Sequence, residues 1–390
     1  MQDWSEYVDL LKPAADIFGS GTAPVDENLR ANFYRQLAMN LSQGYFLIFQ
    51  TDPRYPEWVP FENSAFLLQP NPDAVYFYTA VDGAGTYRVT GQRGTAPVAG
   101  FAVGNRIIGM TEGFGKGFGN YDLDDLTIGE DGAFEVIFSA ERPAGWSGDW
   151  LHLDPESDFI MVRQFSYAWG RETDMRLAIE RLDPQPPKSV ITPAEVDRQL
   201  RKLFGSYARR LSEIGLGAVR APHDKGLVNK FGLTTFQDLG NGQDWPQAYF
   251  ETVFDIGPDE ALVIETDLPE QRSYWNIQVI DGLWNQLEVL YRQTSLNGHT
   301  AKVDGDGRFR AVLSHRDPGF ANWLDTCGHS YGMMIGRWYR CSDQPEPQAI
   351  RMKLSDVATY LGDRSPRITP EERAQAMRER LTGSQLRRRW

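Results

Sequence analysis

After Asp26, Leu29, Phe33, Leu37 and Leu41 return at every fourth position, the spacing of a helix with one apolar stripe, and Asp26 stands where an N-cap belongs. This predicts a helical segment over residues 1–60. From Phe61 the period changes to two: Val75, Phe77, Thr79 and Val81, then 134–139 and 159–165, alternate in short runs split by Gly, Pro and Asp. A first β-sandwich domain over 61–185 follows from them. Asp183-Pro184-Gln185-Pro186-Pro187 can continue neither a helix nor a central strand, because proline lacks the donor and fixes its own torsion. Directly beyond it, Thr192-Pro193-Ala194-Glu195 has capping-box order, and Val196, Leu200, Leu203, Phe204, Tyr207 and Leu211 form one stripe, predicting a helical connector over 186–230.

The strand pattern then returns at 249–254, 261–265, 274–280, 309–314 and 333–339, with turns at Asp304-Gly305-Asp306-Gly307 and Asp317-Pro318-Gly319. These predict a second, jelly-roll-like sandwich over 231–345. Thr369-Pro370-Glu371-Glu372 repeats the capping-box order and opens a helix in a basic tail, 346–390. The fold class expected is mainly β with helical additions: two antiparallel β-sandwich or jelly-roll-like units joined and flanked by helices.

With 390 residues, 41% hydrophobic content and 11 Trp, 16 Tyr and 21 Phe, the chain can fill its cores without staples. The net charge of −13 understates how acidic the body is, since residues 364–390 alone hold eight Arg against three Glu. Such a body repels nucleic acid, and the arginine tail reads as a docking or solvated end. Cys327 and Cys341 form no disulfide framework, residues 1–11 carry charge where a leader needs an apolar core, and no run reaches the roughly 20 apolar residues that cross a bilayer. A cytoplasmic protein without a membrane partner is expected. Symmetric homo-oligomers dominate among soluble assemblies, so a homo-oligomer is expected too.

Several chemistries lose their motif. Gly145-Trp146-Ser147-Gly148 has the wrong spacing for a nucleophile elbow. The five histidines include no pair at helical i, i+4 spacing; His152 and Asp154 share a strand face, but no local metal motif surrounds them, and neither metal nor cofactor is expected. The segment from Gly113 to Gly119 lacks the Lys-Ser/Thr ending of a P-loop and reads as a mobile loop, with Phe114 and Phe118 suited to a lid over an apolar ligand. Asp304–Gly307 has Arg308 where a calcium loop needs an oxygen, so it reads as a hairpin turn.

What remains is concentrated late in the chain. In Tyr274-Trp275-Asn276-Ile277-Gln278, alternation puts Trp275 and Ile277 on one face and Tyr274, Asn276 and Gln278 on the other, an array suited to a half-buried hydrogen-bonding surface. Asp325, His329 and Arg337 add a carboxylate, a near-neutral titrating group and a permanent cation, the kit of acid–base chemistry. A carboxylate paired with an arginine, or capping a turn, is the structural alternative. Earlier, Asn71-Pro72-Asp73 is a turn leading to Tyr76 and Tyr78 on one strand face.

Tyr274–Gln278, Trp284-Asn285, Arg292–Asn297, Asp317-Pro318-Gly319, Asn322–Thr326 with Gly328-His329, and Arg337-Trp338 together resemble the family called domain of unknown function 1214, over about residues 250–345. Asn71–Tyr76 and Tyr87-Arg88 are similar to its frequent partner, domain of unknown function 1254. The resemblance implies a β-rich, jelly-roll-like fold and brings no catalytic residues with it.

The function expected is a cofactor-independent catabolic lyase, of elimination or retro-aldol type, acting on a small hydroxylated aromatic compound. Asp325 or His329 would take the proton while Arg337 and Tyr274 or Tyr76 stabilise the oxyanion. Trp275, Trp284, Trp323 and Tyr78 would hold the aromatic body, with Asn276, Asn322, Arg292 and Asn71 as further contacts. The alternatives are a hydrolase of a small apolar ester, ether or glycoside, and a non-catalytic carbohydrate- or lipid-binding jelly roll.

Overall fold

The computed structural model describes residues 1–62, 70–113, 115–235 and 245–387. Phe114 of the glycine-rich segment and residues 388–390 of the basic tail therefore lie outside the described residues.

Among the described residues, nine strands follow the N-terminal helices: β1 (Val59–Pro60), β2 (Ala74–Ala80), β3 (Tyr87–Gln92), β4 (Val98–Gly104), β5 (Gly117–Asp122), β6 (Ala133–Ser139), β7 (Asp149–His152), β8 (Phe159–Phe165) and β9 (Arg176–Arg181). They form a five-stranded antiparallel sheet, β1-β2-β8-β4-β5, and a four-stranded sheet, β7-β6-β3-β9. Alternation assigns the faces: Val75 and Phe77 of β2, Phe101 of β4 and Val162 of β8 share one core with Val89, Val136 and Phe138 of the smaller sheet.

The second half repeats this plan. Its strands are β10 (Gly232–Thr235), β11 (Gln247–Asp255), β12 (Glu260–Thr266), β13 (Arg272–Asp281), β14 (Ser295–Asn297), β15 (Phe309–Ser314), β16 (Trp323–Asp325), β17 (Tyr331–Cys341) and β18 (Gln348–Lys353). Their orders, β10-β11-β17-β13-β14 and β16-β15-β12-β18, are those of the first sandwich moved on by nine strands. Even the parallel edge pair recurs, β6 with β7 and β15 with β16. One topology occurs twice.

Two segments differ from the expectation. Residues 348–353 form β18 rather than the start of a helical tail, because Ile350 and Met352 alternate with charged neighbours and pack on the cluster of Val263, Val312 and Val357. The second half of the glycine-rich segment is β5, paired to β4, rather than loop. Asp304–Gly307 does make a turn: the Gly307 N–H donates to the Asp304 carbonyl, and the Asp304 carboxylate is engaged by Arg310 and Ser365.

The helices are α1 (Trp4–Asp9), α2 (Lys12–Asp16), α3 (Glu27–Tyr45), α4 (Pro193–Lys202), α5 (Ala208–Asp224), α6 (Val357–Leu361) and α7 (Pro370–Leu386). Asp26 caps α3 by accepting from the Leu29 N–H at 2.7 Å. Phe33 is buried as the stripe predicts, yet apart from Gly44 the other buried residues of α3 are polar: Gln36, Asn40 and Gln43. Asn40 is held by the Ala208 carbonyl and the Ser212 hydroxyl at 2.7 and 2.8 Å. Both capping boxes form, and a π turn at Leu203–Tyr207 joins α4 to α5 while burying Leu203, Phe204 and Tyr207.

The arginine tail docks. Arg373 pairs with Asp317, Arg380 donates to the Ser295 carbonyl and hydroxyl, and Arg387 crosses to the carbonyls of Pro72 and Asp73 in the first sandwich. Among the described residues, no helix is long and apolar enough to cross a membrane.

Candidate functional site

The two five-stranded sheets turn their outer faces toward each other. At one end the space between them is filled, Ala74, Val98 and Phe165 packing with Trp245, Tyr274 and Tyr339. At the other, the helices close it, Tyr207 and Leu211 lying against Tyr78 and Phe159. Between these plugs a cavity of about 850 Å³ remains, bounded by both sheets and by α5. A hollow of this size at a junction of sandwiches is where a small ligand binds most readily.

Its polar end is built twice from one pattern. Tyr76-Phe77 on β2 and Tyr249-Phe250 on β11 each send the phenylalanine into the core of their own sandwich and the tyrosine into the cavity wall. Opposite each tyrosine, in register, stands an arginine of the neighbouring strand: Arg163 of β8 beside Tyr76, and Arg337 of β17 beside Tyr249. Both arginines are buried, 6% and 3% exposed, and both line the cavity. The Arg163 guanidinium lies 4.5 Å from the centre of the Trp245 ring and that of Arg337 lies 5.5 Å from the Tyr249 ring. Arg337 also donates to the side-chain oxygens of Asn276 and Gln278, each at 3.4 Å.

A carboxyl faces these cations. Glu62 follows β1 with a φ of 55°, a left-handed conformation that costs a non-glycine residue free energy. Its N–H donates to Oε1 of Gln43 at 2.6 Å, so the polar face of α3 pins it there. The Glu62 side chain is half-buried on the cavity wall, and no hydrogen bond from a described residue reaches its carboxylate. Loss of water pushes the carboxyl up to about 8, against the downward pull of Arg163 and Arg337. Burial likewise raises the phenols of Tyr76 and Tyr249, keeping both in the donor form.

Beside the cavity the joint between the sandwiches is a closed hydrogen-bond network. The Tyr274 hydroxyl donates to the Asp73 carboxylate at 2.6 Å and accepts from the Asn71 amide at 2.8 Å. The Asn276 amide donates to Asn71 Oδ1, and Asn297 and Trp169 both donate to Asp73 Oδ1, each at 2.8 Å. Through Asn276 this network ends on Arg337.

The structure thus divides the residues singled out from the sequence. Tyr76, Trp284 and Arg337 line the cavity, Trp284 with a φ of 70°. Tyr274, Asn276 and Asn71 form the network behind it, with Trp275 and Ile277 in the core on the opposite face, as alternation requires. Tyr78 stacks on Phe159 beneath the helices. Trp323 sits against Arg373, and Asn322 ties the backbone of Lys302 to that of Arg310.

The trio of Asp325, His329 and Arg337 does not assemble. Asp325 is on β16 of a four-stranded sheet and Arg337 on β17 of a five-stranded one. Asp325 binds Arg292 in bidentate fashion at 2.6 and 2.8 Å and accepts from the Cys327 N–H at 2.8 Å, which makes it both the partner of an arginine and the cap of a turn. His329 stands half-exposed beyond that turn. Asp325→Asn is therefore expected to cost about 1.5–3 kcal/mol of stability, the range for hydrogen bonds to charged groups, and to leave ligand binding in the cavity intact. Thermal unfolding and a binding titration on one sample check both halves.

Glu62, Arg163 and Tyr249 escape the sequence reading. For Tyr249 and Arg163 a signal exists: Tyr-Phe in β2 and β11, and arginine two residues before an aromatic in β8 and β17, form an internal repeat. Glu62 has none, since only the fold brings its loop beside two distant strands. Among the described residues no group of three or more His, Cys, Asp or Glu is placed to hold a metal ion.

Comparison with known proteins agrees with the fold. A crystal structure of an uncharacterized protein from Burkholderia cenocepacia is similar over 90% of this chain and 97% of its own, with a TM-score of 0.83 and 28% identity. A Vibrio parahaemolyticus protein aligns at 14% identity and a TM-score of 0.46, over 88% of this chain and 100% of its own. No curated protein matches the chain. The likeness of residues 71–88 to domain of unknown function 1254 finds no support; the stretch from residue 73 matches the other family instead. The family described as "Protein of unknown function (DUF1214)" matches residues 73–166 and 255–343, one stretch in each sandwich.

Proposed function

We propose that the protein is an acid–base enzyme, a lyase that cleaves a small hydroxylated, largely apolar compound in the cavity between the two sandwiches. Glu62 moves the proton, and Arg337, Arg163 and the donor phenols of Tyr76 and Tyr249 stabilise the oxyanion that develops. The observation that carries this reading is the Glu62 carboxyl, pushed up to about 8 on the wall of a cavity that also presents two buried arginines. Proton affinities tuned toward neutrality by burial and neighbouring charge are concentrated at reaction sites. Trp245, Trp284 and Phe165 give the wall the apolar face an aryl or alkyl body needs.

In an elimination or retro-aldol step, ionised Glu62 takes the proton from a substrate hydroxyl or acidic C–H. The electron pair moves to break the neighbouring bond, and charge gathers on an oxygen within reach of the guanidinium and phenol donors. The experiment is incubation with hydroxylated aryl compounds in oxygen-18 water. Released alkene or aldehyde is expected with no label in any non-exchanging acid or alcohol oxygen of the products, the aldehyde oxygen itself exchanging with water. Label incorporated at the cleaved bond would make the protein a hydrolase with Glu62 activating water, and saturable binding without any product would make it a binding module.

A further inference from the structure

The charge of the cavity runs against that of the chain. With a net charge of −13, the protein nonetheless places five cations on this wall, Arg106, Lys116, Arg163, Lys225 and Arg337, against the carboxyls of Glu62 and Glu251 among the described residues. The five are arranged by depth. Arg163 and Arg337 are buried at the polar end, whereas Arg106, Lys116 and Lys225 are exposed, and among the described residues none of these three forms an ion pair. Arg106 is held by its backbone N–H, which donates to both oxygens of Asp158 at 3.0 and 2.9 Å, while its guanidinium donates to the Asn105 side-chain oxygen at 3.4 Å.

Exposed cations left unpaired at a mouth raise the local concentration of anions, and buried guanidiniums beyond them offer planar forks that match a carboxylate. The wall between is apolar and aromatic, so the charge belongs at one end of the guest rather than along it. We infer that the substrate is an organic monoanion, an aryl or alkyl carboxylate, drawn in past Arg106, Lys116 and Lys225 and held by its carboxylate at Arg163 and Arg337 with its apolar body against Trp245 and Trp284. This inference rests on the cavity being the reaction site and adds the substrate class.

The test is a binding titration of the full-length protein with 4-hydroxybenzoate, 4-hydroxybenzamide and phenyl phosphate, read by tryptophan fluorescence because Trp245 and Trp284 line the cavity. The carboxylate is expected to bind at least about ten-fold more tightly than the amide, with the advantage shrinking as salt rises. In a triple variant, Arg106→Gln with Lys116→Gln and Lys225→Gln, all at exposed positions, the association rate of the carboxylate should fall several-fold while its dissociation rate stays near that of the parent. Equal affinity for acid and amide, absence of binding by either, or an unchanged association rate in the triple variant would overturn the inference; tighter binding of phenyl phosphate would replace carboxylate by phosphate. Glu62→Gln, titrated in parallel, separates the two proposals. Retained acid preference with undiminished turnover sinks only the role of Glu62, whereas lost turnover with no acid preference sinks only the anion.

Discussion

Asp73→Ala is expected to destabilise the protein by about 3–5 kcal/mol, the cost of removing one partner from a buried, charged network. Asp73 is 1% exposed and its carboxylate accepts from Tyr274, Asn297 and Trp169, while its carbonyl accepts from Arg387. Burial pushes its carboxyl up, and the three donors with the Arg387 charge pull it back. Alanine would strand three donors and, while keeping the carbonyl that Arg387 reaches, remove the charge facing that guanidinium, whose Nε has no partner among the described residues. Trp169, stacked at 4.7 and 5.1 Å from the guanidiniums of Arg380 and Arg387, would lose the acceptor that orients it. Because this network holds the first sandwich to the second and to the end of α7, the loss should appear as one cooperative transition at lower urea concentration. Asp73→Asn, which keeps the shape and one acceptor, should cost less than alanine. A cost below about 1 kcal/mol for the alanine variant would mean that packing alone holds the joint.

How far the sequence reaches can be seen in these same residues. Period-two alternation places Trp275 and Ile277 in the core and Tyr274, Asn276 and Gln278 on the opposite face, because one sheet face is always buried within its own sandwich. That local rule makes both sandwiches legible. It is silent about what meets the other face, and the outer faces of the two large sheets meet each other. Asp325 and Arg337 are neighbours along the chain yet belong to different sheets, so proximity in sequence misled; Arg163 and Arg337 lie far apart in the chain and line one hollow. The duplicated topology explains why. Equivalent strands of each half carry the same tyrosine–arginine pair, so a site between the halves draws on two copies of one pattern. The α3 stripe shows a similar limit: the buried Gln36, Asn40 and Gln43 read as solvent-facing until their partners in β1, α5 and the Leu283 loop are in place.

Glu62→Gln is expected to lower turnover by about a hundred- to ten-thousand-fold, the span that a positioned acid–base group supplies, with little change in ligand affinity. The sign of the pH dependence follows from the environment of the carboxyl. Arg163 and Arg337 favour its ionised form, while burial disfavours it and prevails; the phenols of Tyr76, Tyr249 and Tyr207 surrounding it stay protonated in this range. With the carboxyl at about 8, roughly nine in ten molecules carry it protonated at pH 7. A reaction that needs the carboxylate as base therefore speeds up nearly ten-fold per unit below that value and levels off above it. The glutamine variant should show no such rise. Stability supplies a second readout that turnover does not share. A carboxyl raised from 4.5 to about 8 by folding favours the folded state at low pH, and that contribution is lost as pH climbs through the interval. The glutamine variant, free of this penalty, should unfold later than the parent at pH 9 and not at pH 4. A parent protein whose rate is flat between pH 6 and 9, or a glutamine variant that turns over at the parental rate, would remove Glu62 from the chemistry; a flat stability difference would show that its carboxyl is never kept from water.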